Sequence, residues 1–221
     1  MRFKELLMTK KIIQLTASDG HRFASFVAAP KCKPIATLAL IHEIFGVTPH
    51  MQSLAVRYAS YGFKTIIPAL FDRVQADAVI SYSAPDRGRA IAQQCQPALV
   101  LEDIDAGSGV GVVGYCWGGT FAYLAACNLN INAAVSYYGT RVVENLQHNL
   151  YVPIQFHFGF DDQLISADNI AKIQQAHPRQ KLWVYQHTGH AFACEDRPSY
   201  KLESSQLAEQ RTLNFLFETL C

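Results

Sequence analysis

A cysteine, an aspartate and a histidine, in that order along the chain, are the residues here whose types and spacing could do chemistry. Cys116 stands in Val112-Val113-Gly114-Tyr115-Cys116-Trp117-Gly118-Gly119. A β-branched strand runs into Gly-x-Cys-x-Gly and a small-residue helix follows. That is a nucleophile-elbow pattern with cysteine in the place of serine. The turn is tight and strand and helix approach closely, so the flanking residues must be small. Gly114 and Gly118 meet that need, and Gly119 and Thr120 extend it. In the first turn of a helix the backbone N–H groups lack intrahelical partners and point outward. They favour thiolate over thiol and make the Trp117 N–H a donor for an oxyanion. The chemistry that fits is attack of a thiolate on an acyl carbonyl.

The partners of such a nucleophile follow as acid and then histidine, each beyond a later strand. The apolar run Ile154 to Phe158 leads into Gly159-Phe160-Asp161-Asp162-Gln163, and Lys181 to Tyr185 leads into Gln186-His187-Thr188-Gly189-His190. Ligands gather at the carboxyl ends of strands in open α/β sheets. His190 is therefore read as the base that keeps Cys116 ionised and later protonates the leaving group. An acid at 161 or 162 would fix its tautomer and orientation. Adjacent acids are not separated by spacing alone. His187, one turn earlier, reads as a solvated or loop-packing histidine.

These residues need a scaffold of alternating strands and helices. Strands are expected at Lys11 to Leu15 and Arg22 to Ala28, joined at Ser18-Asp19-Gly20-His21, where Asp-Gly suits a hairpin turn. Further strands are expected at Ile35 to Ile41, Phe63 to Ile67, Val110 to Val113, Ile131 to Tyr137, Ile154 to Phe158 and Lys181 to Tyr185. Helices are expected over Met51 to Ser60, Pro85 to Cys95, Leu99 to Ile104, Thr120 to Ala126, Leu164 to Ala176 and Glu203 to Leu220. Residues 69 to 85 read as a surface loop and Gly107-Ser108-Gly109 as a flexible joint. The expected class is α/β with the α/β-hydrolase fold: a doubly wound, mostly parallel sheet with helices on both faces. The two amino-terminal strands would form an antiparallel edge. No repeat or linker divides the chain, so one domain is expected over residues 1–221.

Bulk properties narrow the function classes. The chain has 221 residues, half of them hydrophobic and 17% charged, which supports a large core and argues against disorder. The formal charge is +1 with scattered basic residues, so no nucleic-acid footprint is expected. Met1 to Lys11 holds one apolar triplet, Leu6-Leu7-Met8, too short for a signal peptide or a membrane span. A cytoplasmic location and no membrane association are the default expectations. The six cysteines show no metal-binding spacing and no disulfide framework. Cys95 and Cys127 read as buried or reduced thiols. Neither a metal nor an organic cofactor is expected.

The chain resembles the dienelactone hydrolase family over nearly all of its length. The resemblance is carried by His42-Glu43-Ile44-Phe45-Gly46-Val47, Gly114-Tyr115-Cys116-Trp117-Gly118-Gly119, Tyr137-Tyr138-Gly139, His157-Phe158-Gly159-Phe160-Asp161-Asp162, Gly189-His190-Ala191-Phe192 and Arg211-Thr212-Leu213-Asn214-Phe215-Leu216. It implies a Cys116–Asp162–His190 triad that opens cyclic enol esters, and it places the acid on Asp162. It implies that Glu43 restrains the thiol in the resting enzyme and moves when substrate arrives. A carboxylate beside a thiol discourages a standing thiolate. The Ile44 N–H is the implied second oxyanion donor beside that of Trp117.

Arg89 and Tyr138 match substrate-binding positions. A second arginine, which the family member acting on dienelactone uses to hold the substrate carboxylate, is replaced here by Cys194. A thiol cannot supply the charged fork that reads a carboxylate. Arg197, three residues on, either compensates or is surface charge. The expected partner is a small ester or lactone. A broader carboxylesterase or thioesterase, and a catalytically silent hydrolase-like binding protein, are the alternatives. Oligomeric state is not legible in the sequence.

Overall fold

A computed structural model describes residues 8–107 and 109–221. Leu6 and Leu7 of the amino-terminal triplet, and Ser108 of the expected joint, lie outside the described residues. The chain forms two compact units, Met1–Val112 and Val113–Cys221.

In the first unit, β1 (Met8–Thr16) pairs antiparallel with β2 (Arg22–Pro30), from Thr16 opposite Arg22 to Met8 opposite Pro30. The expected turn closes this hairpin: the Ala17 N–H donates to the His21 carbonyl and the Gly20 N–H to that of Ala17, both at 2.9 Å. Gly20 takes φ 88°, which a glycine adopts without steric cost. β2 pairs antiparallel with β4 (Lys64–Pro68), and β4 pairs parallel with β3 (Thr37–Ile41). Strand order in this unit is β1-β2-β4-β3. β1 is mostly exposed, as an edge strand bearing Lys10 and Lys11 should be, whereas Leu38 to Ile41 of β3 are fully buried.

Helix α1 (Pro49–Ser60) opens on Thr48, whose hydroxyl accepts the Met51 N–H, with Pro49 in the first turn. It buries Met51, Leu54, Ala55 and Tyr58, a stripe at helical spacing. The loop after β4 is pinned by Arg73, which bridges Asp19 (2.7 Å) and the buried Asp103 (2.7 Å). It returns to the segment after β3, where the Ile80 N–H donates to the Phe45 carbonyl at 2.9 Å. Gly46 permits that approach: a Cβ there would lie 2.0 Å from the Ala78 carbonyl oxygen. Helices α2 (Pro85–Gln94) and α3 (Pro97–Gly107) complete the unit.

The second unit carries the strand order β5-β6-β7-β8, with β5 (Gly111–Tyr115) starting just ahead of the unit boundary. β6 (Ala133–Tyr137), β7 (Ile154–Gly159) and β8 (Lys181–Tyr185) pair in parallel. Between them stand α4 (Trp117–Asn128) and α5 (Ala167–Ala176), and α6 (Leu202–Leu220) follows β8. Gly118 to Cys127 of α4 are all buried, which is why its small residues show no polar stripe. Ser166 caps α5 by accepting the Asn169 N–H. α6 buries Ala208, Thr212, Leu213, Phe215 and Leu216.

The alternation of mostly parallel strands with helices, behind an antiparallel amino-terminal hairpin, is the expected α/β-hydrolase architecture. Helix α4 begins at Trp117 rather than near Thr120, because the elbow forces helical backbone directly after Cys116 despite two glycines of low propensity. A 3₁₀ turn at Val142–Asn145 has no periodic signature and was not expected. Among the described residues no helix is long and apolar enough to cross a membrane.

Candidate active site

The site is assembled at the carboxyl ends of β5, β7 and β8. Cys116 ends β5 with φ 56° and ψ −116°, a conformation costly for a residue with a side chain. It is held by its own N–H, which donates to the Tyr137 carbonyl at 3.0 Å, and by its carbonyl, which accepts the Gly119 N–H at 2.9 Å. A Cβ on Gly114 would stand 1.9 Å from the Gly118 carbonyl oxygen, and one on Gly119 would stand 2.5 Å from that of Tyr137. The small residues of the motif are therefore required by backbone-to-backbone contact.

The loops after β7 and β8 are stitched to each other. The Phe160 N–H donates to the Tyr185 carbonyl and the Asp161 N–H to that of Thr188, both at 2.9 Å. Gly159 allows this, since a Cβ there would lie 2.2 Å from the Thr188 carbonyl oxygen. Asp162 and His190 meet as a result. His190 Nδ1 donates to Asp162 Oδ2 at 2.8 Å, and His190 Nε2 lies 3.1 Å from Cys116 Sγ. The other oxygen of Asp162 accepts the Leu164 N–H at 2.8 Å. The carboxylate is thus held at both oxygens, and its side chain is fully buried. Asp161 and His187 are exposed and outside this chain of contacts.

Burial opposes a charge on His190, but negative charge on Cys116 and the hydrogen bonds that the imidazole makes to Asp162 and Cys116 outweigh it. Together they raise the imidazole to about 10. The arrangement can hold a thiolate–imidazolium pair with a carboxylate behind it. Tyr138, at φ 39°, packs its buried ring edge-on against His190 at 5.0 Å between centroids and against Phe192 at 5.3 Å. It therefore limits how the imidazole can turn.

This electrostatics has a pH consequence. The folded chain holds the His190 proton more tightly than the unfolded chain, where the group titrates near 6.5. Its contribution to stability is fully present below that pH and is lost as pH rises through about 10. Chemical denaturation followed from pH 7 to 11 is expected to show a decline toward 10, and the same titration in His190→Gln should lack that component.

The other residues singled out in the sequence lie as follows. Trp117 is the first residue of α4, its ring 4.6 Å from that of Phe121. Glu43 is buried just after β3 in the first unit, and Ile44 beside it is half-buried. Arg89 is exposed on α2 and pairs with Asp86 one turn earlier. Cys194 is fully buried, and the Arg197 N–H donates to its carbonyl at 3.1 Å. Among the described residues no cluster of three His, Cys, Asp or Glu side chains is arranged to hold a metal ion.

One buried polar network was not expected. His157 Nδ1 meets the Tyr185 hydroxyl at 2.8 Å and its Nε2 meets Thr212 Oγ1 at 3.1 Å, while Thr212 meets the Tyr137 hydroxyl at 2.7 Å. Burial, reinforced by Arg211, lowers His157 to about 3, so it stays neutral. Its position inside a strand flanked by aromatic residues was the available signal.

Comparison with known proteins places this geometry in context. The model of the dienelactone hydrolase family matches residues 23–220. The carboxymethylenebutenolidase of Pseudomonas putida is 30% identical, over 92% of this chain and 94% of that protein. The carboxymethylenebutenolidase of Pseudomonas knackmussii shows the same identity and coverage. A crystal structure of a protein from Klebsiella pneumoniae, provisionally named a dienelactone hydrolase, superposes with a TM-score of 0.79 at 28% identity. It covers 92% of this chain and 98% of its own.

Proposed function

The chain belongs to the dienelactone hydrolase family, and from that premise we propose that it cleaves a carboxylic ester, in a small lactone or open ester, through a thioacyl intermediate on Cys116. The observation that carries this reading is the 3.1 Å and 2.8 Å chain from Cys116 through His190 to Asp162. The Cys116 thiolate attacks the acyl carbon, and the carbonyl oxygen becomes an oxyanion that the N–H group of Trp117 receives. His190 gives its proton to the departing oxygen as the carbon–oxygen bond breaks. It then takes a proton from water, the hydroxide attacks the thioester, and the carboxylic acid leaves with Cys116 restored. Asp162 keeps His190 in the tautomer that both steps need. The test is turnover of a small enol lactone and an aryl ester by wild type beside Cys116→Ala, with activity expected only in the former.

The substrate reading turns on Cys194. A buried thiol stands where the resemblance calls for an arginine, and Arg89 is already engaged by Asp86. A charge-assisted contact to a carboxylate is worth about 1.5–3 kcal/mol, so its absence removes roughly a 10- to 100-fold preference. Uncharged esters or thioesters are therefore expected to compete with carboxylated lactones. Comparing kcat/KM on a carboxylated dienelactone and on its uncharged methyl ester checks this. A strong preference for the anion that persists after substitution of Arg89 and Arg197 would contradict it.

A further inference from the structure

Ser136 lies near the end of β6, is completely buried, and has no part in the triad. Its hydroxyl donates to the Gly119 carbonyl, in the first turn of α4, at 2.8 Å. The strand itself does not call for a hydroxyl there, since Ala133, Ala134 and Val135 fill its other buried positions before Tyr137. The helix does not call for one either. In an α-helix the Gly119 carbonyl already accepts the N–H four residues on, that of Tyr123. The hydroxyl is thus a second donor on one oxygen. Gly139 leaves it room, because a Cβ there would stand 2.6 Å from Ser136 Oγ.

The Gly119 carbonyl and the Thr120 N–H are the two ends of one peptide unit. In a trans peptide these groups point in opposite directions in one plane, and the described residues contain no cis peptide. The Thr120 N–H donates to the Cys116 carbonyl at 3.3 Å, beside the Gly119 N–H at 2.9 Å. The Cys116 carbonyl in turn shares its peptide unit with the Trp117 N–H. A chain of donors therefore runs from the Ser136 hydroxyl through two peptide units to Trp117. A hydrogen bond accepted at the oxygen of an amide strengthens its N–H as a donor. Each held oxygen also sets the heading of the N–H behind it. The neighbouring contacts keep this chain in register: the Tyr137 carbonyl accepts the Cys116 N–H at 3.0 Å, and Thr120 Oγ1 accepts the Arg141 N–H at 3.1 Å.

We propose that Ser136 is a positioning residue of the oxyanion site: by donating to the Gly119 carbonyl it polarises and aims the Trp117 N–H that receives the developing charge. This rests on the reading of Trp117 as an oxyanion donor given above. A stronger donor stabilises the oxyanion more than the bound ester. Acylation and deacylation both pass through such an oxyanion, so a weaker donor slows both. Loss of the hydroxyl should therefore lower kcat and leave KM nearly unchanged. An oxyanion donor contributes about 10²- to 10³-fold in rate, and a linked hydrogen bond strengthens it by about 10–30%. The expected loss is about two- to eightfold.

The test uses Ser136→Ala, which removes the hydroxyl and leaves a side chain of the kind found at 133 and 134. An aryl trifluoromethyl ketone, to which the Cys116 thiolate adds to form a carbon–sulfur bond and an oxyanion, reports on the transition state. The matching secondary alcohol serves as an unreactive comparator. In Ser136→Ala, kcat on an aryl ester and affinity for the ketone should fall together, by about two- to eightfold. Alcohol binding should keep its wild-type value. So should the rate of Cys116 alkylation by iodoacetamide, a displacement that develops no oxyanion.

Unchanged kcat and ketone affinity in Ser136→Ala overturn the proposal. A parallel fall in ketone binding, alcohol binding and alkylation also overturns it, because the whole elbow has then shifted. A crystal structure of the wild-type ketone adduct gives an answer even if the variant does not fold. The former carbonyl oxygen on the Trp117 N–H, with the Ser136 hydroxyl on the Gly119 oxygen, supports the proposal. An oxygen turned away from Trp117, or a hydroxyl turned away from Gly119, overturns it. If the wild-type enzyme forms no ketone adduct on Cys116, the hydrolase reading itself fails. If the adduct forms and Ser136→Ala binds the ketone normally, only the role of Ser136 fails.

Discussion

Cys116→Ala is expected to lower ester hydrolysis by about 10⁴-fold or more while the protein remains folded. In the proposed mechanism the sulfur forms the acyl bond, and His190 Nε2 lies 3.1 Å from it. Without it, His190 can still activate water and the Trp117 N–H can still bind an oxyanion, so a residual rate above background is expected. The substitution removes one buried atom and adds no bulk, so the fold should be kept, while the stability that the contact with His190 lends should be lost. Cys116→Ser gives a finer reading. A hydroxyl is far less acidic than a thiol and does not form the ion pair with His190. It should retain binding and lose most turnover. Steady-state kinetics on an aryl ester, with the denaturation midpoint as a folding control, checks both variants.

Gly114→Ala is expected to destabilise the fold by about 4 kcal/mol or more, a loss reserved for severe backbone or core conflicts. The new Cβ would lie 1.9 Å from the Gly118 carbonyl oxygen, 2.4 Å from its carbon and 2.9 Å from the Gly119 nitrogen. All three are backbone atoms at the start of α4, so no side chain can swing aside. Relief requires moving the helix away from β5, which also displaces Cys116 from His190. Gly20→Ala is the matched contrast. Nothing lies within 4 Å of its Cβ, so only the left-handed backbone at φ 88° is taxed, at about 1 kcal/mol. Urea midpoints at constant slope measure both. A Gly114→Ala protein as stable as wild type would show that the elbow does not depend on that close approach.

Much of this was legible in the residues. The strands and helices carry strong apolar periodicity, and the elbow declares itself because glycine is demanded at fixed offsets from Cys116. The carboxyl-end rule pointed to the loops that carry Asp162 and His190, the proposed acid and base. What could not be read is the choice between Asp161 and Asp162 from spacing alone. It depends on the stitching of the loops after β7 and β8, where the Asp161 N–H is drawn to Thr188 and the Asp162 side chain turns to His190. That pairing is long-range and leaves no local signature.

His157 and His42 were hidden for a related reason. A buried histidine inside an apolar strand, as His157 is, or just beyond one, as His42 is, looks like a packing residue until its partners are known. Both turn out to be neutral nodes of hydrogen-bond networks. The start of α4 was missed because helix propensity is poor at Gly118 and Gly119, while tertiary contact dictates the helix there. Cys194 was legible as a departure from the family pattern, and its full burial adds that it presents no charged group to a substrate.

The most direct test of the account is rapid-quench mass spectrometry with a slowly deacylated aryl ester. A burst of released phenol stoichiometric with enzyme should coincide with one acyl mass on the peptide containing Cys116, and both should vanish in Cys116→Ala. Turnover without an acyl adduct on Cys116, at a rate that Cys116→Ala matches, would contradict it.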